Sequence, residues 1–167
     1  MKKMTEKFLN EAFAGESMAH MKYLIFSEEA EKEGFKNVSR LFKAISFAEF
    51  VHARNHLRNL GLIKGTVDNL QTGVDGETYE IEEMYPVFNN AAKFQGEKGA
   101  ELSTYYALEA EKIHAEMYKS AKERVKEGKD IDLEDIYICP VCGYTHMGTP
   151  PEKCPVCGVT KERFVKF

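Results

Sequence analysis

The sequence predicts an all-α protein: a four-helix bundle over residues 1–130, a linker at 131–136 and a small metal-held domain at 137–167. Three observations carry this reading. All four cysteines fall at 139, 142, 154 and 157, and four of the five prolines at 140, 150, 151 and 155, so a cysteine-free body containing only Pro86 precedes a tail of different make. The body has four stretches with apolar residues at i, i+3, i+4 and i+7, the spacing of one helix face. Every one of those stripes is interrupted by acids. The 167 residues suit one domain with an appendage, and 43% hydrophobic against 30% charged residues makes a packed core affordable.

The first helix covers residues 5–33, with Leu9, Phe13, Glu16, Tyr23 and Phe26 facing inward. Gly34 stops it and Asn37 caps the second, 38–60, whose inner face runs Val38, Leu41, Phe42, Ile45, Glu49, His52 and His56. Gly61 and Gly65 break the chain. Thr66 caps the third helix, facing inward at Leu70, Val74, Glu77, Glu80, Ile81, Met84 and Phe88. Gly73 and Gly76 weaken its start, each by roughly 1 kcal/mol relative to Ala. Gly96 and Gly99 bracket the next turn, and the fourth helix runs to about 127 with Leu108, Glu111, His114 and Tyr118 inward.

A carboxylate in a dry core is costly unless a counter-charge accompanies it. Five stripe acids and two stripe histidines call for a shared one, and two divalent metal ions supply it. Glu49-Phe50-Val51-His52 and Glu111-Lys112-Ile113-His114 are both Glu-x-x-His. On a helix, i and i+3 lie about 60° apart, so both side chains reach one bundle centre. Two such motifs, with single glutamates on the other two helices, form a di-metal carboxylate pattern. An internal repeat supports it: Ala48-Glu49-x-x-His52-Ala53 matches Ala110-Glu111-x-x-His114-Ala115, and Gly15-Glu16-Ser17 matches Gly76-Glu77-Thr78. Glu80 breaks the symmetry, since Ala19 stands at the matching place.

In the tail, Cys139-Pro140-Val141-Cys142-Gly143 recurs as Cys154-Pro155-Val156-Cys157-Gly158, the spacing of a tetrahedral four-thiolate site. Spacing leaves iron and zinc open. Tyr137, Tyr144, Phe164 and Phe167 are expected to form its small apolar cluster. His20 and His56 read as core or surface histidines, His146 as solvent-exposed, and Glu97 and Glu101 as acids favouring a helix start.

A net charge of -4 argues against a nucleic-acid partner. No apolar run approaches the ~20 residues of a membrane span, and no signal segment is visible, so a cytoplasmic setting is expected. No glycine-rich nucleotide motif occurs.

On these residues the chain resembles the rubrerythrins over nearly its full length. The match includes Ala14-Gly15-Glu16-Ser17, both Glu-x-x-His motifs, Gly76-Glu77-x-x-Glu80 followed by Glu83-Met84-Tyr85-Pro86, and the paired Cys-Pro-Val-Cys-Gly segments. The resemblance implies a ferritin-like bundle with two irons and a rubredoxin-like tail with one, for which zinc can substitute. It makes Glu49 and Glu111 bridging ligands, Glu16 and Glu77 terminal ones, and His52 and His114 the nitrogen ligands. Glu80 resembles a redox-dependent ligand that exchanges with His52, and Tyr23 and Tyr85 match tyrosines that hydrogen-bond around the site. The implied activity is a non-haem di-iron peroxidase for oxidative-stress defence. Hydrogen peroxide, two electrons and two protons would give two waters, with electrons entering through Cys139, Cys142, Cys154 and Cys157 from a rubredoxin or flavoprotein donor. A ferroxidase or iron-storage role and an oxygen reductase are the alternatives.

In such a bundle the second and third helices run parallel, so their link must travel its length. Helix two is about 36 Å long at ~1.5 Å per residue, whereas residues 61–65 reach about 17 Å at ~3.4 Å each. A homodimer exchanging helix hairpins is therefore expected, with Glu16, Glu49 and His52 from one chain and Glu77, Glu80, Glu111 and His114 from the other. Residues 128–136 read as a short linker that leaves an intramolecular relay distant, so that one chain's tail serves another chain's bundle.

Overall fold

The computed structural model describes residues Met1–Phe167, which divide into two compact units, Met1–Lys64 and Gly65–Phe167. In the first, α1 (Lys3–Lys32) and α2 (Lys36–Asn59) form a helical hairpin turned at Gly34. The second helix begins at Lys36 without a side-chain cap, so Asn37 lies inside its first turn and not at its cap. Small residues line the seam: Ser27, Ser39 and Ser46 are at most 2% exposed, with Ala30 and Ala53 beside them. Short side chains let the two helices approach closely, but they bury little apolar area. The large apolar groups lie off the seam, with Leu41 60% and Phe47 64% exposed.

In the second unit, α3 (Thr66–Tyr79), a π-helical turn (Glu80–Met84) and α4 (Tyr85–Gln95) form one interrupted helical run that packs on α5 (Lys98–Lys126). The sequence pattern suggested an unbroken helix here. Pro86, which stands at the start of α4, has no N–H to carry the ladder onward, and Tyr85 N–H reaches back five residues to Glu80 O. The last helix also starts earlier than expected, with Gly99 inside its first turn. Gly73 has a packing reason that its helix propensity hides. A Cβ there would lie 2.9 Å from Tyr118 Cδ2, so the glycine lets the Tyr118 ring rest against α3. Asn89 Nδ2 donates to Glu101 O at 2.7 Å and to Thr104 Oγ1 at 2.9 Å, joining α4 to α5. Val74, Ala92, Ala110 and Ala115 are the buried apolar residues of these helices.

The tail is a three-stranded antiparallel sheet in the order β2-β1-β3, with β1 at Ile136–Ile138, β2 at Thr145–Met147 and β3 at Val165–Lys166. Two turns of the same design carry the cysteines. Gly143 N–H donates to Cys139 O and Gly158 N–H to Cys154 O, with both glycines at positive φ, +78° and +79°. The buried cluster is Cys139, Cys142 and Cys154, packed by Tyr144, Val156, Val159 and Phe164, and by Tyr106 from α5. Two of the four expected aromatics are thus absent from it: Tyr137 stands outside and Phe167 is 74% exposed. No helix is long and apolar enough to cross a membrane.

Candidate metal centres

Helix periodicity and the paired turns bring the candidate ligands together as three clusters. Within each cluster the donor atoms lie within 4.8 Å of one another. In the tail, the four cysteines are free thiols, with Cys139 Sγ 3.5 Å from Cys157 Sγ and Cys142 Sγ 3.5 Å from Cys154 Sγ. Four sulfurs around an ion at ~2.3 Å stand about 3.8 Å apart along each tetrahedron edge, so the set fits a single tetrathiolate ion. Burial pushes the Cys142 thiol far above its ordinary range; a cation is what brings such a group to the thiolate form.

In the first unit, Glu16 of α1 meets Glu49 and His52 of α2. His52 Nδ1 lies 2.9 Å from Glu49 Oε2 and 3.7 Å from Glu16 Oε1. In the second, Glu77 of α3 meets Glu111 and His114 of α5, with His114 Nδ1 2.6 Å from Glu111 Oε2. Burial, and then the neighbouring Glu111 carboxyl, push Glu77 up to about 7. Glu80 is raised by burial and by Glu111, against the opposing pull of His114. Tyr85 is raised by burial and then by the charges of Glu80, Glu111 and Glu77. The acids of this unit therefore crowd one another. Oxygen and imidazole donors in such a set suit divalent iron, which relieves the repulsion directly.

The π-helical turn explains how Tyr85 joins this group. In an α-helix a residue five positions on lies about 140° around the axis. The wider turn closed by the Tyr85 N–H to Glu80 O bond carries Tyr85 back toward the face that holds Glu77 and Glu80. Tyr23 lies two turns beyond Glu16 on α1, its ring against Phe26 and Phe42.

The tail packs on its own chain's α5. A Cβ on Gly143 would lie 3.7 Å from Ala110 Cβ, and Thr145 Oγ1 is 2.8 Å from His114 Nε2. Tyr106, Ala110 and His114 stand at i, i+4 and i+8, one stripe along the helix. This corrects the expectation that the linker leaves the tail remote from its own chain's ligands: residues 127–135 only have to return the chain along α5. Sequence reasoning missed Tyr106 and Thr145. The stripe spacing could have pointed to Tyr106; nothing in the pattern points to Thr145. His20 is a structural histidine, its Nδ1 2.9 Å from Ser46 O and Ser46 Oγ. His146 is part-buried rather than free in solvent, stacked on Tyr144 and 3.2 Å from its hydroxyl.

Hard oxygen ligation on the helices and soft sulfur ligation in the tail place the molecule among the ferritin-like di-iron carboxylate proteins that carry a rubredoxin-like domain. The family model for rubrerythrin matches residues 7–122, and that for the rubrerythrin rubredoxin-like domain matches 137–165. The chain belongs to the rubrerythrin family. It is 48% identical to Rubrerythrin-2 of Clostridium acetobutylicum, covering 98% of this chain and 97% of that one. It is 36% identical to Nigerythrin of Nitratidesulfovibrio vulgaris over 95% of this chain and 84% of that one. Among solved structures, the partially reduced state of nigerythrin is similar with a TM-score of 0.58 and 32% identity, over 98% of this chain and 86% of that one.

Proposed function

We propose that this chain is a peroxidase that reduces hydrogen peroxide to two waters with two electrons and two protons. The observation that carries the reading is the pairing of two Glu-x-x-His carboxylate sets with a four-thiolate centre in one chain. The carboxylate–histidine residues would hold an iron pair able to give two electrons to the O–O bond, and the four cysteines an iron suited to one-electron relay. Glu49 and Glu111 would be the bridging carboxylates of a bound metal pair, Glu16 and Glu77 its terminal carboxylates, and His52 and His114 its nitrogen donors. Glu80 would be the carboxylate that exchanges with His52 on a bound metal, and its place in the π-helical turn would give it the slack to move. Tyr85, held protonated by burial and by the acids around it, donates a hydrogen bond from its hydroxyl to the peroxide oxygen, with Tyr23 as its counterpart on α1. Electrons from a rubredoxin or flavoprotein donor would enter at the cysteines, and the Gly143–Thr145 segment, with Thr145 Oγ1 2.8 Å from His114 Nε2, would be the short path to the carboxylate–histidine site. The setting is a reducing cytoplasm, where four thiols stay available for metal.

The metal pair is completed in a homodimer by hairpin exchange. One unit offers three ligands and the other three with Glu80 as a fourth, too few in either for two metals, and the five residues 61–65 are too short to span a bundle. Mixing Glu49→Ala and Glu111→Ala variants tests this. In exchanged dimers the mixed species regains one intact site, restoring roughly a quarter of the metal pairs. No recovery would mean that each chain fills its own site.

Stopped-flow mixing of reduced, iron-loaded protein with peroxide and separately with O2 tests the activity. Faster oxidation by peroxide is expected. Faster oxidation by O2 would make the protein an oxygen reductase, and growth of a mineral core on iron addition would make it a storage protein.

A further inference from the structure

Thr145 is 4% exposed and belongs to β2 of the tail, yet its hydroxyl lies 2.8 Å from the Nε2 of a metal-site histidine on α5. A hydroxyl has one proton to give. The Thr145 hydroxyl is also within 3.2 Å of Gly143 O, an acceptor that cannot donate. The arrangement that satisfies all three atoms sends the hydroxyl proton to Gly143 O and the His114 Nε2 proton to Thr145 Oγ1. His114 then carries its lone pair on Nδ1, the atom 2.6 Å from Glu111 Oε2. A lone pair facing a carboxylate oxygen is repulsive until a cation joins them, so this tautomer is the one that a metal ion selects.

We propose that Thr145 is a positioning residue that fixes the tautomer and ring orientation of His114, so that the folded tail prepares the di-iron ligand. Imidazole ligands are commonly oriented through the nitrogen that does not bind metal. Here that partner comes from the electron-delivering domain, so the order of the thiolate centre is linked to the affinity of the carboxylate–histidine site. Gly143 follows Cys142 directly, which makes the chain of atoms from thiolate to imidazole short. The opposite arrangement, with Thr145 donating to Nε2, would protonate Nδ1 and block it as a ligand. The inference rests on reading Glu77, Glu111 and His114 as metal ligands, but it does not need the peroxidase activity.

The test uses the full chain labelled with 15N-histidine and loaded with Zn2+, which is diamagnetic. Long-range 1H–15N spectra should show the His114 proton on Nε2 and zinc on Nδ1. Thr145→Val keeps the shape and removes the hydroxyl; it should lower zinc affinity at the carboxylate–histidine site about 10-fold, and Thr145→Ser should restore it. The thiolate absorption of a Co2+-loaded sample reports whether the tail is folded in each variant. A wild-type His114 protonated on Nδ1 overturns the proposal without any variant. So does a folded Thr145→Val protein with wild-type zinc affinity. If zinc leaves the His114 signals unmoved, the ligand reading itself fails, and the proposal with it; the peroxide experiments above are judged separately.

Discussion

The two hairpins carry near-identical motifs but hold them differently. In the first unit the His52 side chain is 53% exposed, and its Nδ1 lies 2.9 Å from Glu49 Oε2 and 3.7 Å from Glu16 Oε1. In the second, the His114 side chain is 30% exposed and has a neighbour at each nitrogen, Glu111 Oε2 at 2.6 Å from Nδ1 and Thr145 Oγ1 at 2.8 Å from Nε2. The second unit also holds an extra acid, Glu80, at a π-helical turn that the first lacks. A sequence repeat therefore does not make a symmetric site. One half presents a loosely held imidazole, and the other a fixed imidazole with a spare carboxylate close by.

Substitutions can break the comparison, and the largest effect is expected in the tail. Cys142→Ser removes one thiolate of four and should abolish reduction by an external donor, measured as donor-linked turnover, while pre-reduced protein still reacts with peroxide. Loss of both reactions would show that the centres are not separable. Glu80→Ala should keep two metals in the carboxylate site, checked by metal analysis, and slow peroxide turnover by about 10- to 100-fold, the range seen when supporting groups of a metal site are lost. Full activity in that variant would remove the basis for the asymmetry.

Smaller effects report on the second hairpin alone. Gly73→Ala places a Cβ 2.9 Å from Tyr118 Cδ2. Overpacking of about 1–3 kcal/mol, less about 1 kcal/mol of regained helix propensity, should leave the protein about 1 kcal/mol less stable by thermal denaturation. The smallest expected effect is a pH trend in metal-free protein. Glu77 is raised from 4.5 to about 7 in the folded chain, so its ionisation opposes folding, and its contribution falls as pH rises from 4.5 to about 7. Glu77→Gln should flatten that part of the melting-temperature profile.

Much of this was legible beforehand, for identifiable reasons. Helix existence follows from apolar spacing, which is local, and the ligands were visible because acids at stripe positions contradict the pattern around them. The Cys-x-x-Cys turns and their glycines follow from the backbone demands of a thiolate site. The π-helical turn was missed because its cause, Pro86, reads equally well as a simple kink. The cap at Asn37 was misplaced because a tight turn at Gly34 starts α2 first.

By itself the sequence determined the ligand types, their helical phase and the split between oxygen and sulfur donors, since each depends on neighbours a few positions away. Only the tertiary structure decided that the tail lies along Tyr106, Ala110 and His114 of its own α5, and that Thr145 meets an imidazole 31 positions away. Such contacts are set by packing between surfaces distant in the chain, where no periodicity records which residues will meet.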